Sequence, residues 1–345
     1  MINICICGGG SLGHTIAGFV ASQEGYSVSI LTRHPERWGK SLDIEDLKGR
    51  HYQGDLSCVS AEPSFVIPNA DIVLLCLPGY GIEKTLEQIK PYVRESTFVG
   101  SVVSSTGFFF MAAGVLPSAV PVFGFQRVPF IARTREYGKS ANLLGYKPSL
   151  SVAIENTPDE KKQKLISLLA QVFHIPVKLL NSHYEASLTN SNPLLHTSRI
   201  YSMWKDWRPG VRYDNRPQFY ADWTLESSHY YIEMDREFQA MLKLLPVTED
   251  AIPNVLDYYD SYDEQSLRDK LASIPAFKSI ASPMVGNSSE GFEPDFNSRY
   301  FTEDFPYGLH SIVKVARDLV FATPLIDEVY EWGMGMVDKY TIRQG

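Results

Sequence analysis

A glycine-rich hexapeptide close to the first residue has the composition of a phosphate-binding turn. Gly8-Gly9-Gly10-Ser11-Leu12-Gly13 matches the spacing G-x-G-x-x-G, and it follows an apolar run that ends at Cys7. In a strand–turn–helix context the first glycine permits the tight turn. The second allows the backbone to approach a pyrophosphate, and the third allows the helix and strand to pack closely. The pattern predicts a dinucleotide site formed by Gly8, Gly10, Ser11, Leu12 and Gly13, with phosphate at the start of the helix.

Two further turns bear on which dinucleotide would bind. After the second expected strand come Thr32 and Arg33, where enzymes specific for NAD usually carry an acid and where an arginine suits a 2′-phosphate. These residues favour NADP(H) over NAD(H), although Arg33 is also compatible with a solvated loop or with stacking on the adenine of NAD. Pro78 follows the third strand, and its turn is expected to support the nicotinamide side.

Three polar segments supply candidates for proton transfer and for carboxylate binding. His196 ends the segment Asn192-Pro-Leu-Leu-His, which is typical of a helix start with Asn192 as the N-cap. Arg299 and Asp304 lie in a loop that enters a later helix, and Gln126 ends a strand. By residue type alone, His196 could instead be a packed histidine and Asp304 a helix cap. The other candidates could be surface polar residues. Histidine exchanges protons near neutral pH, and arginine binds carboxylates through two parallel hydrogen bonds.

These segments together resemble the NAD/NADP octopine/nopaline (opine) dehydrogenases. The specific matches are Asn192-Pro-Leu-Leu-His196 and Arg299-Tyr-Phe-Thr-Glu-Asp304, which leads into Pro306-Tyr-Gly-Leu309. The resemblance implies NAD(P)H-dependent reduction of an imine formed between an α-keto acid, often pyruvate, and the amine of an amino acid. It also implies His196 as general acid/base with Asp304 orienting it. Arg299 and Gln126 would hold a substrate carboxylate, and we place Asn192 with them.

Two other functions compete with this one. A keto- or hydroxy-acid reductase would use no amine, and many such enzymes carry a catalytic lysine early in the helical half. No lysine lies between Lys178 and Lys205, where His196 stands instead. A non-catalytic NADP(H)-binding sensor would need the glycine turn alone, without the combination of His196, Asp304 and Arg299.

The elements that position these residues divide the chain into two halves. Up to about Leu180, β-rich runs alternate with helical patterns, which predicts a parallel, doubly wound Rossmann domain over residues 1–181. Residues 182–345 are predicted to form an all-α domain that carries substrate and catalytic groups. The segments 207–220 and 280–300 are expected to be ordered loops between its helices.

Composition excludes several classes of function. The chain has 345 residues and a net charge of −8 without a basic cluster, which argues against nucleic-acid or anionic-membrane partners. Its four cysteines, Cys5, Cys7, Cys58 and Cys76, show no metal-ligand spacing, so no metal is expected. Free thiols and the lack of a leader-like N-terminus predict a reduced, cytoplasmic location. The expected partners are small-molecule substrates, with a homo-oligomer left open.

Overall fold

A computed structural model describes residues 1–341 of the chain. The chain forms two compact units, Met1–Ser187 and a second that begins at Leu188. The sequence places the division slightly earlier, between residues 181 and 182. The two units differ in class: the first is built around one large sheet, and the second is mainly helical.

The first unit contains eleven strands. They are β1 (Ile2–Cys7), β2 (Tyr26–Leu31), β3 (Ser41–Asp46), β4 (His51–Ser60), β5 (Ile72–Leu75), β6 (Phe98–Ser101), β7 (Val122–Phe125), β8 (Phe130–Glu136), β9 (Ser140–Tyr146), β10 (Leu150–Glu155) and β11 (Val177–Leu179). All belong to one sheet, in the order β11-β10-β7-β6-β5-β1-β2-β4-β3-β9-β8. The β-rich runs of the sequence predict seven of these strands, β1, β2, β5, β6, β7, β10 and β11, within two residues at each end. The sequence pattern does not predict β3, β4, β8 and β9.

Six helices accompany this sheet. They are α1 (Ser11–Ala21), α2 (Pro63–Val66), α3 (Gly79–Ile89), α4 (Phe108–Val115), α5 (Asp159–Phe173) and α6 (His183–Ser187). Alternate residues of β1 face opposite sides: Ile4 and Ile6 pack in one core with α1 and α5, whereas Cys5 and Cys7 pack in another with α3 and α4. Helices on both faces explain why the central strands are apolar throughout. The doubly wound Rossmann arrangement is therefore confirmed.

The sheet is mixed, which the prediction of a parallel sheet did not foresee. The central strands β7-β6-β5-β1-β2-β4 pair in parallel, but β10 joins β7 antiparallel. Antiparallel pairs also join β3 to β4 and β8 to β9. These pairs are short hairpins, and their half-exposed strands carry many charged residues. The apolar runs typical of buried parallel strands were absent there, so the sequence pattern did not reveal them.

Over residues 188–341, the second unit contains seven helices and one hairpin. They are α7 (Asn192–Trp204), α8 (Leu225–Leu242), α9 (Val255–Tyr258), α10 (Glu264–Ser273), α11 (Arg299–Thr302), α12 (His310–Asp318) and α13 (Pro324–Tyr340), with strands β12 (Met284–Asn287) and β13 (Gly291–Pro294). The helical class is confirmed. The loop predicted over 280–300 was wrong in part, because it contains the β12–β13 hairpin. A π-helical segment, Asp304–Leu309, precedes α12, so the later helix begins at Asp304 itself and with a wider turn.

The segment 96–126 contains no charged residue, which raises the question whether it could cross a membrane. Its interspersed glycines and prolines predict a strand, a turn, a short helix and a strand, and the structure forms β6, α4 and β7 there. Over residues 1–341 no helix has both the length and the apolar character that crossing a bilayer requires.

A buried carboxyl on α8 makes stability depend on pH. Asp235 is 7% exposed and accepts hydrogen bonds from the Val255 N–H at 2.9 Å and from the Gln239 amide at 3.4 Å. Burial raises its pKa from 3.8 to about 6. The unfolded chain therefore ionises this carboxyl at lower pH than the folded chain. The free energy of unfolding must fall as pH rises from about 4 to about 6, by at most about 3 kcal/mol.

Replacing Asp235 with asparagine should therefore stabilise the protein at neutral pH, because it keeps an acceptor for Val255 without a buried charge. We expect a higher midpoint of urea unfolding at pH 7 and a smaller loss of stability between pH 5 and pH 7. Asp269→Asn is the matched control, since hydrogen bonds from Gln265 and Arg268 lower the pKa of Asp269. An unchanged or lower midpoint for Asp235→Asn would contradict the account.

Candidate active site

The glycine turn connects β1 to α1 with the geometry that its sequence predicts. Gly8 has φ +122°, which other residues rarely adopt. A Cβ at Gly13 would collide with the carbonyl oxygen of Gly8, so the turn can close only with glycine there. A Cβ at Gly10 would meet no atom within 4 Å, and Gly10 precedes α1 without a side-chain cap. Open space therefore adjoins the unpaired N–H groups of Ser11 and Leu12, where a pyrophosphate fits.

Residues from two neighbouring strands border this turn. Pro78 precedes α3 at the end of β5, and the preceding Cys76 carbonyl oxygen would lie 2.6 Å from a Cβ at Gly8. Thr32 is buried at the end of β2, with its hydroxyl close to Gly9. Arg33 is exposed beside it, and its side chain has no acidic partner within residues 1–341. The structure thus places all the predicted cofactor residues at the carboxyl ends of the neighbouring central strands β1, β2 and β5.

A hairpin that sequence analysis missed covers one side of the same turn. The Ser11 hydroxyl accepts a hydrogen bond from the Thr134 N–H at 3.0 Å, and the Tyr137 hydroxyl would lie 2.5 Å from a Cβ at Gly9. His14 accepts a bond from the Gly138 N–H at 2.7 Å through Nε2, so its Nδ1 donates to the Gly10 carbonyl. Burial lowers the pKa of His14, which keeps it neutral in this structural role. Strands β8 and β9 therefore hold the turn in shape.

The exposed guanidinium of Arg33 yields a prediction about cofactor choice. Arg33→Asp should weaken NADPH binding relative to NADH by about 10- to 100-fold, because one charge-assisted contact to a 2′-phosphate is lost and a repulsion is added. Equilibrium titration of each nucleotide by fluorescence measures the ratio directly. Lys90→Asp makes the same charge change at the far end of α3, at the opposite edge of the sheet, and should leave the ratio unchanged. An unaltered ratio in Arg33→Asp would remove Arg33 from the site.

In the second unit, His196 and Asp304 form a hydrogen-bonded pair. His196 Nδ1 lies 2.8 Å from Asp304 Oδ2, although the residues are 108 positions apart in sequence. Their side chains are 12% and 18% exposed. A carboxylate can only accept, so Nδ1 carries a proton and Nε2 is the basic nitrogen of the neutral ring. The pair has the orientation that a histidine general acid/base requires.

Close packing of small residues brings the two partners together. His196 lies one turn into α7, and Asp304 begins the π-helical segment. A Cβ at Gly308 would lie 2.8 Å from Pro193 Cγ, and a Cβ at Gly333 on α13 would collide with the Phe305 ring. Both glycines therefore allow this segment to approach its neighbours closely. The predicted N-cap was wrong by one residue: Asn192 is the first residue of α7 and Ser191 precedes it, without a side-chain cap.

Aromatic side chains surround the His196 ring. Tyr220 Oη lies 2.9 Å from His196 Nε2, and the Tyr300 ring meets the imidazole edge-on at a centroid distance of 4.8 Å. Burial raises the pKa values of both tyrosines. The sequence predicts that Tyr220 lies in the ordered loop 207–220, which is rich in aromatic residues, and does not single it out. No local pattern could have done so, because the contact joins a loop to a helix.

The predicted carboxylate-binding residues are found in both units. Arg299, in the second unit, is exposed at the start of α11, directly before Tyr300, and its side chain has no ion-pair or hydrogen-bond partner within residues 1–341. Asn192 is also exposed. Gln126, in the first unit, is half-buried and donates from Nε2 to the Glu185 carbonyl at 3.2 Å. Across residues 1–341, no group of three His, Cys, Asp or Glu side chains is placed to hold a metal ion.

Comparison with known proteins assigns both units. Residues 179–337 match the family model of the α-helical domain of NAD/NADP octopine/nopaline dehydrogenase, and residues 4–104 match that of ketopantoate reductase PanE/ApbA. Opine dehydrogenase of Haliotis discus hannai is 26% identical, over 99% of this chain and 91% of its own length. Tauropine dehydrogenase of Arabella iricolor is 28% identical, over 98% of this chain and 92% of its own. Residues 179–337 therefore carry the α-helical domain of the octopine/nopaline dehydrogenases.

Solved structures of two dehydrogenases share the fold of this chain. Octopine dehydrogenase with NADH and L-arginine has a TM-score of 0.83 at 24% identity, covering all of this chain and 92% of that one. An NADP⁺-bound yersinopine dehydrogenase has a TM-score of 0.70 at 14% identity, covering 98% and 91%. The family resemblance seen in the sequence is confirmed, and the protein is an NAD(P)-dependent dehydrogenase that acts on a CH–NH bond.

Proposed function

We propose that this dehydrogenase joins an α-keto acid of the pyruvate type to the amine of an amino acid and reduces the resulting imine. The observation that carries the proposal is the His196–Asp304 pair, because imine formation and its reversal need proton transfer at neutral pH. The relatives support the substrate class: they include a tauropine dehydrogenase and an octopine dehydrogenase whose structures contain L-arginine or pyruvate.

Each candidate residue has a distinct role in this reaction. His196 accepts a proton from the ammonium group of the amino acid and returns one as the hydroxyl leaves as water. Asp304 holds the ring in one tautomer and stabilises its protonated form. Arg299 binds a substrate carboxylate, with Gln126 and Asn192 as further polar contacts. A dinucleotide whose pyrophosphate is held at the glycine turn would supply, from its nicotinamide, the hydride that reduces the imine carbon.

The cofactor and the location follow from the same features. The glycine turn accepts NAD(H) or NADP(H), and the unpaired Arg33 favours NADP(H). The four cysteines are free thiols. Together with a reaction that consumes reduced nicotinamide, they support a reducing, cytoplasmic location. Small-molecule substrates are the proposed partners.

A substrate panel tests the proposal. The absorbance of NADPH or NADH is followed with each of several α-keto acids, with and without each of several amino acids. Oxidation that requires both partners is the expected result, and mass spectrometry should then find the secondary amine product. Oxidation with a keto acid alone would instead identify a simple keto-acid reductase. Tight cofactor binding with no oxidation across the panel would favour a sensor.

A further inference from the structure

Both ring nitrogens of His196 are engaged in the structure. Nδ1 contacts Asp304 Oδ2 at 2.8 Å, and Nε2 contacts Tyr220 Oη at 2.9 Å. Because Nδ1 donates to the carboxylate, Nε2 of the neutral ring accepts, and the Tyr220 hydroxyl must donate to it. In the protonated ring the same contact reverses, with Nε2 donating to Oη. A substrate therefore finds neither nitrogen free, whereas Oη retains capacity for a second hydrogen bond.

Packing holds Tyr220 in this place. Its side chain is 4% exposed, and its ring stacks on Phe277 at a centroid distance of 4.2 Å with an interplanar angle of 20°. It also lies parallel to Trp223 at 6.1 Å. A ring fixed between aromatic neighbours does not swing aside at low cost, because its contacts would be lost. The hydroxyl is thus a permanent neighbour of His196.

A buried arginine fixes the backbone on either side of Tyr220. Arg199 lies on α7, three residues after His196, and is 3% exposed. Its Nε donates to the Phe219 carbonyl at 3.2 Å, and its Nη2 donates to the Asp222 carbonyl at 2.8 Å. One helix therefore carries both the histidine and the cation that holds the tyrosine loop against it. Arg199 is a positioning residue for Tyr220.

We propose that Tyr220 is a further catalytic residue, whose hydroxyl passes the proton between His196 and the substrate. The inference rests on the proposed function. The ammonium proton of the amino acid moves to Oη as the Oη proton moves to Nε2, which leaves a free amine and an imidazolium. The amine nitrogen adds to the keto carbon, and one of its protons passes to the former carbonyl oxygen, which gives a carbinolamine. The C–O bond of the carbinolamine then breaks as the nitrogen lone pair forms C=N. The departing hydroxyl takes the Oη proton and leaves as water. At the same time Nε2 returns its proton to Oη.

The electrostatic surroundings require these two transfers to be coupled. Burial raises the pKa of Tyr220, and the ionisable Tyr300, Tyr259 and Asp304 raise it further. A free phenolate is therefore disfavoured at neutral pH. Tyr220 can serve only by receiving one proton as it gives up another, as a link in the chain Asp304–His196–Tyr220.

Tyr220→Phe tests this role, because it keeps the stacked ring and removes the hydroxyl. We expect kcat to fall by at least 100-fold, with KM values, cofactor affinity and thermal stability changed little. Tyr201→Phe is the matched control: Tyr201 is 6% exposed in the same unit, and its hydroxyl donates to Glu328 and not to His196. It should retain kcat within threefold. Near-normal kcat in Tyr220→Phe, together with an inactive His196→Gln, would overturn the inference and leave His196 acting alone.

A second variant covers the case in which Tyr220→Phe folds poorly. Incorporating 3-fluorotyrosine at position 220 retains the hydroxyl and increases its acidity. If Oη transfers a proton, kcat and its pH profile must change with that acidity. An unchanged kcat and profile would show that Tyr220 only packs. A wild-type enzyme that oxidises no cofactor with any keto acid and amine pair would instead refute the proposed function and, with it, this inference.

Discussion

Replacing His196 with glutamine will lower kcat by about 10³- to 10⁴-fold, because the reaction then lacks its proton-transfer group. Asp304→Asn will cause a loss of about 10²- to 10³-fold, since an amide no longer fixes the tautomer or stabilises the charged ring. Cofactor affinity, measured by nicotinamide fluorescence, should change little in either variant. If the two residues act as one unit, the double variant will be no slower than His196→Gln.

The surface of the same unit provides a control for this experiment. His229 Nδ1 lies 2.8 Å from Glu264 Oε1, the same distance as in the His196–Asp304 pair, but the two side chains are 53% and 46% exposed. His229→Gln should leave kcat unchanged, because an exposed pair of this kind contributes little. Turnover within a few fold of wild type in both His196→Gln and Asp304→Asn would refute the assignment.

Removing the Arg299 guanidinium will reduce kcat/KM for the keto acid by about 10- to 100-fold, mainly through KM. Arg299 is exposed beside Tyr300, which packs on His196, and has no protein partner within residues 1–341. A charge-assisted bond to a carboxylate contributes about 1.5–3 kcal/mol. Arg299→Lys should recover only part of the loss, because lysine cannot form two parallel bonds.

Steady-state kinetics against keto-acid concentration measures this effect. Arg268→Ala is the control, since Arg268 is already paired with Asp269 at 2.7 Å on α10 of the same unit. We expect it to keep the wild-type KM. An Arg299→Ala enzyme with an unchanged KM for every keto acid that the wild type accepts would assign the carboxylate to another residue.

The fold was predictable where burial produces a clear pattern. The sequence pattern predicts strands over Ile2–Cys7 and Tyr26–Leu31 and a helix over Asn192–Trp204, and β1, β2 and α7 have these bounds. Apolar periodicity and a neighbouring glycine or proline define all three. The pairs β3–β4 and β8–β9 were missed because their exposed faces carry charged and polar residues, which removes the apolar run. The hairpin of β8 and β9 matters most, since it supports the glycine turn through Thr134 and Gly138.

The candidate site was predictable only in part, for a related reason. His196, Asp304 and Arg299 lie in segments that resemble a known family, and the structure brings His196 and Asp304 into contact. Tyr220 and Arg199 carry no such signal, because aromatic residues and a single arginine are common in any helical unit. Their significance appears only when a loop folds back on α7. Tertiary contacts of this kind cannot be derived from local spacing.

The wide turn at Asp304–Leu309 has a consequence for how this protein can change. A π turn holds one residue more than a regular helix, and such segments tend to persist where they serve function. Deleting one residue would restore regular pitch between α11 and α12, but it would rotate Asp304 by about 100° about the helix axis. The extra residue of the π turn thus sets the direction in which the Asp304 side chain points. Loss of that one residue would separate the carboxylate from His196 without changing either side chain.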